Sequence, residues 1–448
     1  MANFSKSGVP RFSVDVYQNA YLPEGGSEVD AIVTVTATGG GTVGGAVTAP
    51  HLYGTGRGPD AAVAIMVDCS GSMDYPPTKM RGARDATAAA VDALRDGVHF
   101  AVIGGTHVAK EVYPGGGRLA VADATTRGQA KQALRKLGAG GGTAIGTWLR
   151  LADRLLSSAD VTIRHGILLT DGRNEHESPE ALKATLDACA GRFTCDARGV
   201  GTDWEVKEVT GVASALLGSA DIVADPAGLA ADFTRMMEAA MGKEVADVAL
   251  RLWTPLGASV RFVKQVAPTV EELTDRRTEA GPRTGDYPTG SWGDESRDYH
   301  VCVEVPPAGL GQEMLAAQVS LVVPQGDGGA QSLGAQGLVR AVWTDDLAAS
   351  TSINPQVAHY TGQAELAQAI QQGLEARKAG DVDGATAKLG RAVQLAGASG
   401  NADTAKLLAK VVDVVDAAAG TVRLKAKVEE ADEMTLETRS TKTVRVKK

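Results

Sequence analysis

Rings are scarce in this chain: Phe, Trp and Tyr together make up 4% of its 448 residues. Its cores must therefore be filled by aliphatic side chains, and hydrophobic residues at 44% are enough to do so. Cysteine is almost absent. Cys69, Cys189, Cys195 and Cys302 show no C-x-x-C spacing and no paired histidines, so they predict no zinc site. They read as small buried apolar residues in a reducing compartment. No apolar run approaches the ~20 residues that cross a bilayer. Met1–Pro10 has neither an apolar segment nor a cleavage signal, so a cytoplasmic location is expected. Basic residues are not in surplus. The net charge of −9 argues against a nucleic-acid binder, which needs a basic footprint. No G-x-x-x-x-G-K-[ST] occurs, so P-loop nucleotide hydrolysis has no support.

Glycine is abundant at 54 residues, alanine is frequent, and the length implies two to four domains at roughly 100–200 residues each. Residues 1–58 hold two strand-like runs followed by a Gly-rich linker. Phe12, Val14 and Val16 alternate with polar residues, as do Val29, Ala31, Val33 and Val35. The linker covers Gly39 to about Pro59. Residues 59–242 change character. Ala61–Val67 is a short apolar run of the kind found in buried parallel strands. Helical and strand-like segments then alternate to Met241, which predicts a doubly wound, Rossmann-like α/β domain. Residues 243–350 return to a period of two, seen in Val248/Leu250/Leu252, Val301/Val303/Val305 and Ala317/Val319/Leu321/Val323. This is an antiparallel β pattern. The N-terminal strands are too few to stand alone and are expected to pair with it, as one β-sandwich into which the α/β domain is inserted. Residues 351–420 carry helical stripes: Leu366/Ile370/Leu374, Leu389/Val393/Ala396 and Leu407/Val411/Val414. They resemble a tetratricopeptide-like (TPR-like) hairpin. Residues 421–448 read as a strand followed by a disordered end.

The chemistry concentrates at three loops of the α/β segment. The first strand ends in Asp68-Cys69-Ser70-Gly71-Ser72, and the i, i+2, i+4 spacing on a turning loop lets three oxygens converge. Gly140-Gly141-Gly142-Thr143 precedes a helix and presents Thr143. The strand Ile167–Thr170 ends in Asp171-Gly172. In doubly wound sheets, ligands bind beyond the carboxyl ends of the strands. Carboxylate and hydroxyl oxygens are hard ligands, suited to Mg²⁺, Mn²⁺ or Ca²⁺.

D-x-S-x-S, a Thr after paired glycines and T-D-G, in that order, resemble the metal-ion-dependent adhesion site (MIDAS) of von Willebrand factor type A (VWA) domains. The resemblance covers about Pro59 to Gly242. It implies that Ser70, Ser72 and, in the ligand-bound form, Thr143 reach a divalent ion directly, with Asp68 and Asp171 acting directly or through water. It also implies a coordination position open to an Asp or Glu of a protein partner. A catalytic use would need a positioned general base. Glu175 and His176 are the local candidates, and no Ser-His-Asp or Cys-His set can be nominated. The expectation is a metal-dependent protein-binding scaffold, not an enzyme; a metal-dependent hydrolase is the weaker alternative.

Two flanking stretches could carry more. Asp286–Tyr299 is polar and turn-rich, and reads either as a contact loop or, preferably, as a solvated hairpin connection. In the tail, Glu437-Thr438-Arg439-Ser440 is similar to the Glu-Thr-x-Ser phosphothreonine motif of actinobacterial forkhead-associated (FHA) signalling proteins. Thr438 is thus a candidate phosphosite, and a phosphate there would add nearly two negative charges. An alternative function follows: a phosphorylation-regulated signalling adaptor. The whole chain resembles actinobacterial, Streptomyces-type cytoplasmic VWA proteins. By that resemblance, a Ser/Thr kinase, a PP2C-type phosphatase or an FHA-domain protein are expected partners.

Overall fold

The computed structural model describes residues 10–39, 60–325 and 329–446. Apart from their end residues Pro10 and Gly39, the N-terminus Met1–Pro10 and the linker expected at Gly39–Pro59 lie outside the described residues. The chain divides into two compact units. One is built on residues 60–246 with Gly290–Gly293; the other combines Arg11–Thr38, Asp247–Thr289 and residues 294–446.

In the first unit, all eight residues of the strand Ala61–Asp68 are buried. A strand covered on both faces needs a continuous apolar run, and Ala61–Val67 supplies one. The strand pairs in parallel with His99–Gly105 on one side and Ile163–Thr170 on the other. Thr194–Val200 and Ala220–Val223 continue the parallel sheet beyond Ile163–Thr170. Ala109–Tyr113 and Ala120–Val121 add antiparallel pairing to His99–Gly105. Their largely unburied residues leave no apolar run for the sequence pattern to reveal. Six α-helices fall where their apolar spacing places them. Ile145–Leu156, for instance, buries Ile145, Trp148, Leu149, Ala152 and Leu156 at steps of three and four. From Ala61–Asp68 the chain goes first to one neighbouring strand and later to the opposite one. The loops after Ala61–Asp68 and Ile163–Thr170 therefore diverge, and a crevice opens at their carboxyl ends.

Outside the parallel sheet, the described strands form two large antiparallel-rich sheets and one two-stranded hairpin. The first runs Arg11–Gln18, Glu28–Thr38, Glu295–Glu304, Ser259–Ala267, Glu271–Glu272. The second runs Thr278–Gly281, Thr284–Trp292, Val245–Trp253, Glu313–Pro324, Ala330–Trp343, Tyr21–Leu22. Val33 lies opposite Tyr299 and Ala31 opposite Val301, so the N-terminal strands pair with chain that follows the α/β segment.

Asp286–Tyr299 is not a solvated connection. It belongs to two strands of different sheets, and Asp286, Thr289, Ser291 and Asp298 within it are buried. Arg251 donates to both oxygens of Asp286 at 2.7 and 2.8 Å, and the Thr289 hydroxyl donates to the Val248 carbonyl at 2.6 Å. Polar residues that satisfy one another inside a sheet resemble a loop when read in sequence.

Helices Pro355–Lys378 and Val382–Ala398 form a hairpin turned by Gly380 at φ 79°, and the Asp381 side chain caps the second helix. Helix Ala402–Val411 follows, but the third stripe ends there. Val414 lies on the strand Val412–Asp416, which pairs with Thr421–Leu424 in a hairpin that buries Val412 and Val422 and exposes Val414. The tail also differs from expectation. After the strand Thr421–Leu424 comes a helix, Glu430–Arg439, whose Leu436 joins the apolar cluster of Leu366, Ile370, Leu389 and Leu408. Its buried residues Met434, Leu436 and Thr438 alternate, which mimics a strand. In a helix, that alternation means contact on more than one side. Thr438 is 3% exposed, so a kinase reaches it only after the helix undocks.

The chain then runs along the first sheet. The Val270 N–H donates to the Thr441 carbonyl (2.8 Å) and the Thr443 N–H to the Pro268 carbonyl (3.0 Å). Arg445 donates to both oxygens of buried Asp298 at 2.8 and 2.6 Å, joined there by the hydroxyls of Thr34 and Tyr360. Replacing Asp298 by Ala strands those donors. A loss of about 2–4 kcal/mol is expected in urea unfolding, at the lower end of what breaking a buried pair costs because Arg445 is half-exposed. The Thr438 hydroxyl is buried without a hydrogen-bond partner. Thr438→Val, which removes an unsatisfied group without changing shape, should leave stability unchanged or raise it by about 1 kcal/mol in the same assay.

Candidate metal centre

The strand Ala61–Asp68 delivers Asp68 to the crevice fully buried. Both of its oxygens are engaged. Oδ1 accepts the Ser70 N–H at 2.7 Å, which bends the loop back on itself. Oδ2 accepts the Thr170 hydroxyl at 2.7 Å and the Asp171 N–H at 3.4 Å, so the two diverging strand ends are tied together. Burial pushes the Asp68 carboxyl above its usual range; hydrogen bonds from Ser70 and Thr170 oppose this, and the charge of Asp171 adds to it.

The hydroxyls lie beside this anchor. Ser70 Oγ and Ser72 Oγ are 2.9 Å apart, and the Ser72 hydroxyl donates to Asp171 Oδ1 at 2.7 Å. The third loop is clamped to the first: the Gly140 N–H donates to the Cys69 carbonyl (2.8 Å) and the Gly71 N–H to the Gly141 carbonyl (2.9 Å). Thr143 sits at its end, 4% exposed. A Cβ placed on Gly172 would lie 3.1 Å from Ser72 Oγ, 3.4 Å from Thr143 Oγ1 and 3.7 Å from Ser70 Oγ. Three hydroxyls from two loops therefore surround one small space, which the missing side chain of Gly172 helps to keep open.

All five residues singled out in the sequence, Asp68, Ser70, Ser72, Thr143 and Asp171, are brought together here. Thr438 is not; it lies in the other unit. The donor set fits a hard divalent cation, being hydroxyl and carboxylate oxygen only. Among the described residues, no group of three or more His, Cys, Asp or Glu side chains is placed to hold an ion. The hydroxyl set thus differs in kind from a zinc or two-metal cluster. All four cysteines are buried free thiols.

Thr170, the first residue of T-D-G, and several residues outside the motifs support the site. Thr170 supplies the hydroxyl to Asp68. Asn174 Oδ1 accepts the Ile145 N–H at 2.7 Å, and Glu177 Oε2 accepts the Gly146 N–H at 2.8 Å, which fixes the helix start just after Thr143. These partners are about thirty residues apart, so no local pattern announces them. His176, considered above as a base, has its Nδ1 turned to the Thr143 N–H at 3.3 Å. Lys79 Nζ lies 2.8 Å from Asp171 Oδ2 and 3.0 Å from Asp203 Oδ2. Burial alone would lower its pKa, but contacts with the two carboxylates outweigh that and hold it above the usual range. Lys79 is therefore charged at neutral pH. A Lys two residues after a pair of prolines gives no hint in sequence that it pairs with carboxylates more than ninety residues away.

Comparison with known proteins places the chain in a family. Residues 61–222 match the family described as von Willebrand factor type A domain, and residues 394–440 match the von Willebrand factor type A C-terminal domain. The second match runs from the helix Val382–Ala398 across the boundary at residue 420 to the final helix, where the sequence suggests a strand and a disordered end. No curated protein matches. A solved structure of a von Willebrand factor type A protein from Catenulispora acidiphila is 52% identical, covers 99% of both chains and superposes with a TM-score of 0.90. The ArnB paralog VWA2 from Sulfolobus acidocaldarius, 14% identical over 96% of this chain and 98% of its own, shares the fold at a TM-score of 0.57. The chain belongs to the von Willebrand factor type A family.

Proposed function

We propose that this protein is an intracellular scaffold that binds protein partners through a divalent ion, and that it is not an enzyme. Convergence of the Ser70, Ser72 and Thr143 hydroxyls on the space beside Gly172 carries this reading. Mg²⁺ is the proposed ion, with Mn²⁺ and Ca²⁺ as chemical equivalents. Ser70, Ser72 and Thr143 would hold it, and Asp68 and Asp171 would act directly or through water. Neutral hydroxyls leave the charge of such an ion little compensated, so an Asp or Glu from a partner is a favoured further ligand. Asp68 also holds the loops in register through its bonds to Ser70, Thr170 and Asp171.

The reading extends to the rest of the chain. The two large sheets would form a β-sandwich interrupted by the α/β unit. Side chains of Val14 and Val16 from one sheet crowd the backbone of Gly337 in the other, which supports this. The helical hairpin would be a TPR-like module. The adaptor reading, with its kinase, PP2C-type phosphatase or FHA partners, is less favoured because Thr438 is buried.

A chain that works this way should bind Mn²⁺ with Ser70→Ala and Ser72→Ala at least tenfold weaker, a factor of ten corresponding to about 1.4 kcal/mol. Calorimetric titration checks this, with circular dichroism showing the fold retained. Wild-type affinity in both variants would remove the proposed ligands. Partner capture in Mg²⁺ should disappear in EDTA and in Asp171→Ala; capture that survives both would refute metal-mediated binding.

A further inference from the structure

Lys79 is a cation beside the hydroxyl site, on the far oxygen of Asp171 and at a helix position that by itself disfavours positive charge. It is the second residue of the helix Thr78–Ala93. The first turn of a helix carries partial positive charge on its free N–H groups, so a cation there is disfavoured. The side chain is also only 10% exposed, and a charge withdrawn from water is costly unless it is paired. Two carboxylates offset both penalties, Asp171 at 2.8 Å and Asp203 at 3.0 Å. Asp203 is 66% exposed, so its charge is largely screened by water and it serves mainly to hold the ammonium in place. Asp171 is wholly buried and faces two ways. Its Oδ1 takes the Ser72 hydroxyl of the site, and its Oδ2 faces Lys79.

The charge balance around the hydroxyls follows. Asp68 and Asp171 bring two negative charges and Lys79 one positive, so a divalent ion held there leaves a net positive charge. Without Lys79 the same ion would be neutralised. The geometry points to Lys79 as the residue that sets the exchange between metal and partner: it weakens the site's hold on the divalent ion and in return strengthens the pull on an incoming carboxylate. This rests on the metal-dependent reading above and names what tunes it. A residue that merely positioned Asp171 would act in the opposite direction on the metal, because its loss would loosen the site.

The test uses the full chain with Mn²⁺ as the metal probe, free ion being read by electron paramagnetic resonance. Acetate is the carboxylate probe on the Mn²⁺-loaded protein, read by water-proton relaxation. Lys79→Met should bind Mn²⁺ roughly tenfold or more tightly, as expected for removing a like charge a few ångströms away in a partly desolvated site. Its affinity for acetate should fall by a similar factor. Lys79→Gln, which keeps a hydrogen-bond donor without the charge, should behave the same way and serves if the Met variant folds poorly. Mn²⁺ binding that is unchanged or weaker in these variants, with wild-type circular dichroism and melting, overturns the inference alone. A wild-type chain whose Mn²⁺ binding is absent or indifferent to Ser70→Ala overturns the metal reading, and the inference with it.

Discussion

The buried carboxylate of Asp68 is the constraint on which the site depends. A doubly wound sheet splays its loops apart where the strand order reverses, so two strand ends at that point tend to separate. Asp68 opposes the separation from within. One oxygen folds its own loop through the Ser70 N–H, and the other grips Thr170 and Asp171 of the neighbouring strand. A buried carboxylate without partners would be costly, so the folded loop is the arrangement that keeps the charge satisfied. The hydroxyls of Ser70 and Ser72 are placed as a consequence. The ligand geometry is therefore a consequence of satisfying one anion.

Space matters as much as charge. Gly172 gives the Ser72, Thr143 and Ser70 hydroxyls room to face one another, and any side chain there would fill the volume they surround. Gly105 does the same one layer away. Its missing Cβ lets the Trp148 ring lie directly on the strand, where the indole N–H donates to the Thr106 carbonyl at 2.6 Å. Trp148 lies one turn after Thr143, so this contact fixes the helix that carries the third loop. Glycine is common in the chain, but at these two positions it is the absence of volume that builds the site.

How far the sequence reveals all this depends on whether partners are local. Asp68, Ser70 and Ser72 are legible because their spacing is their geometry, and Asp171-Gly172 because it closes a strand. Ala61–Val67 is legible because burial on both faces leaves a continuous apolar run. Asp286–Trp292 misled because its polar groups are satisfied by Arg251 and Val248, more than thirty residues distant. Glu430–Arg439 misled because a helix buried on more than one side loses its 3.6-residue stripe. The acidic cluster Glu430, Asp432 and Glu433 in its first turn was a helix-start signal that the alternating burial obscured. Lys79 could not have been found, since the sequence says nothing about a carboxylate it meets only after folding.

The chain order raises a last question: how a protein tolerates some two hundred residues between Glu28–Thr38 and Val245–Trp253, strands that belong to different sheets of one unit. The entropy of closing a loop grows only logarithmically, at about 0.6 kcal/mol per doubling of length, so distance along the chain is a weak penalty. An unstructured insertion of that length would still add backbone to be ordered. Within it, residues 60–246 build their own parallel sheet with covering helices, so their ordering is met by a core of their own. The cost then falls on the closing contacts, and those are strong. Thr34 and Asp298 meet across 264 residues, and Arg445 reaches the same carboxylate from near the end of the chain. Asp298 thus does for the second unit what Asp68 does for the first, drawing distant segments onto a single buried anion.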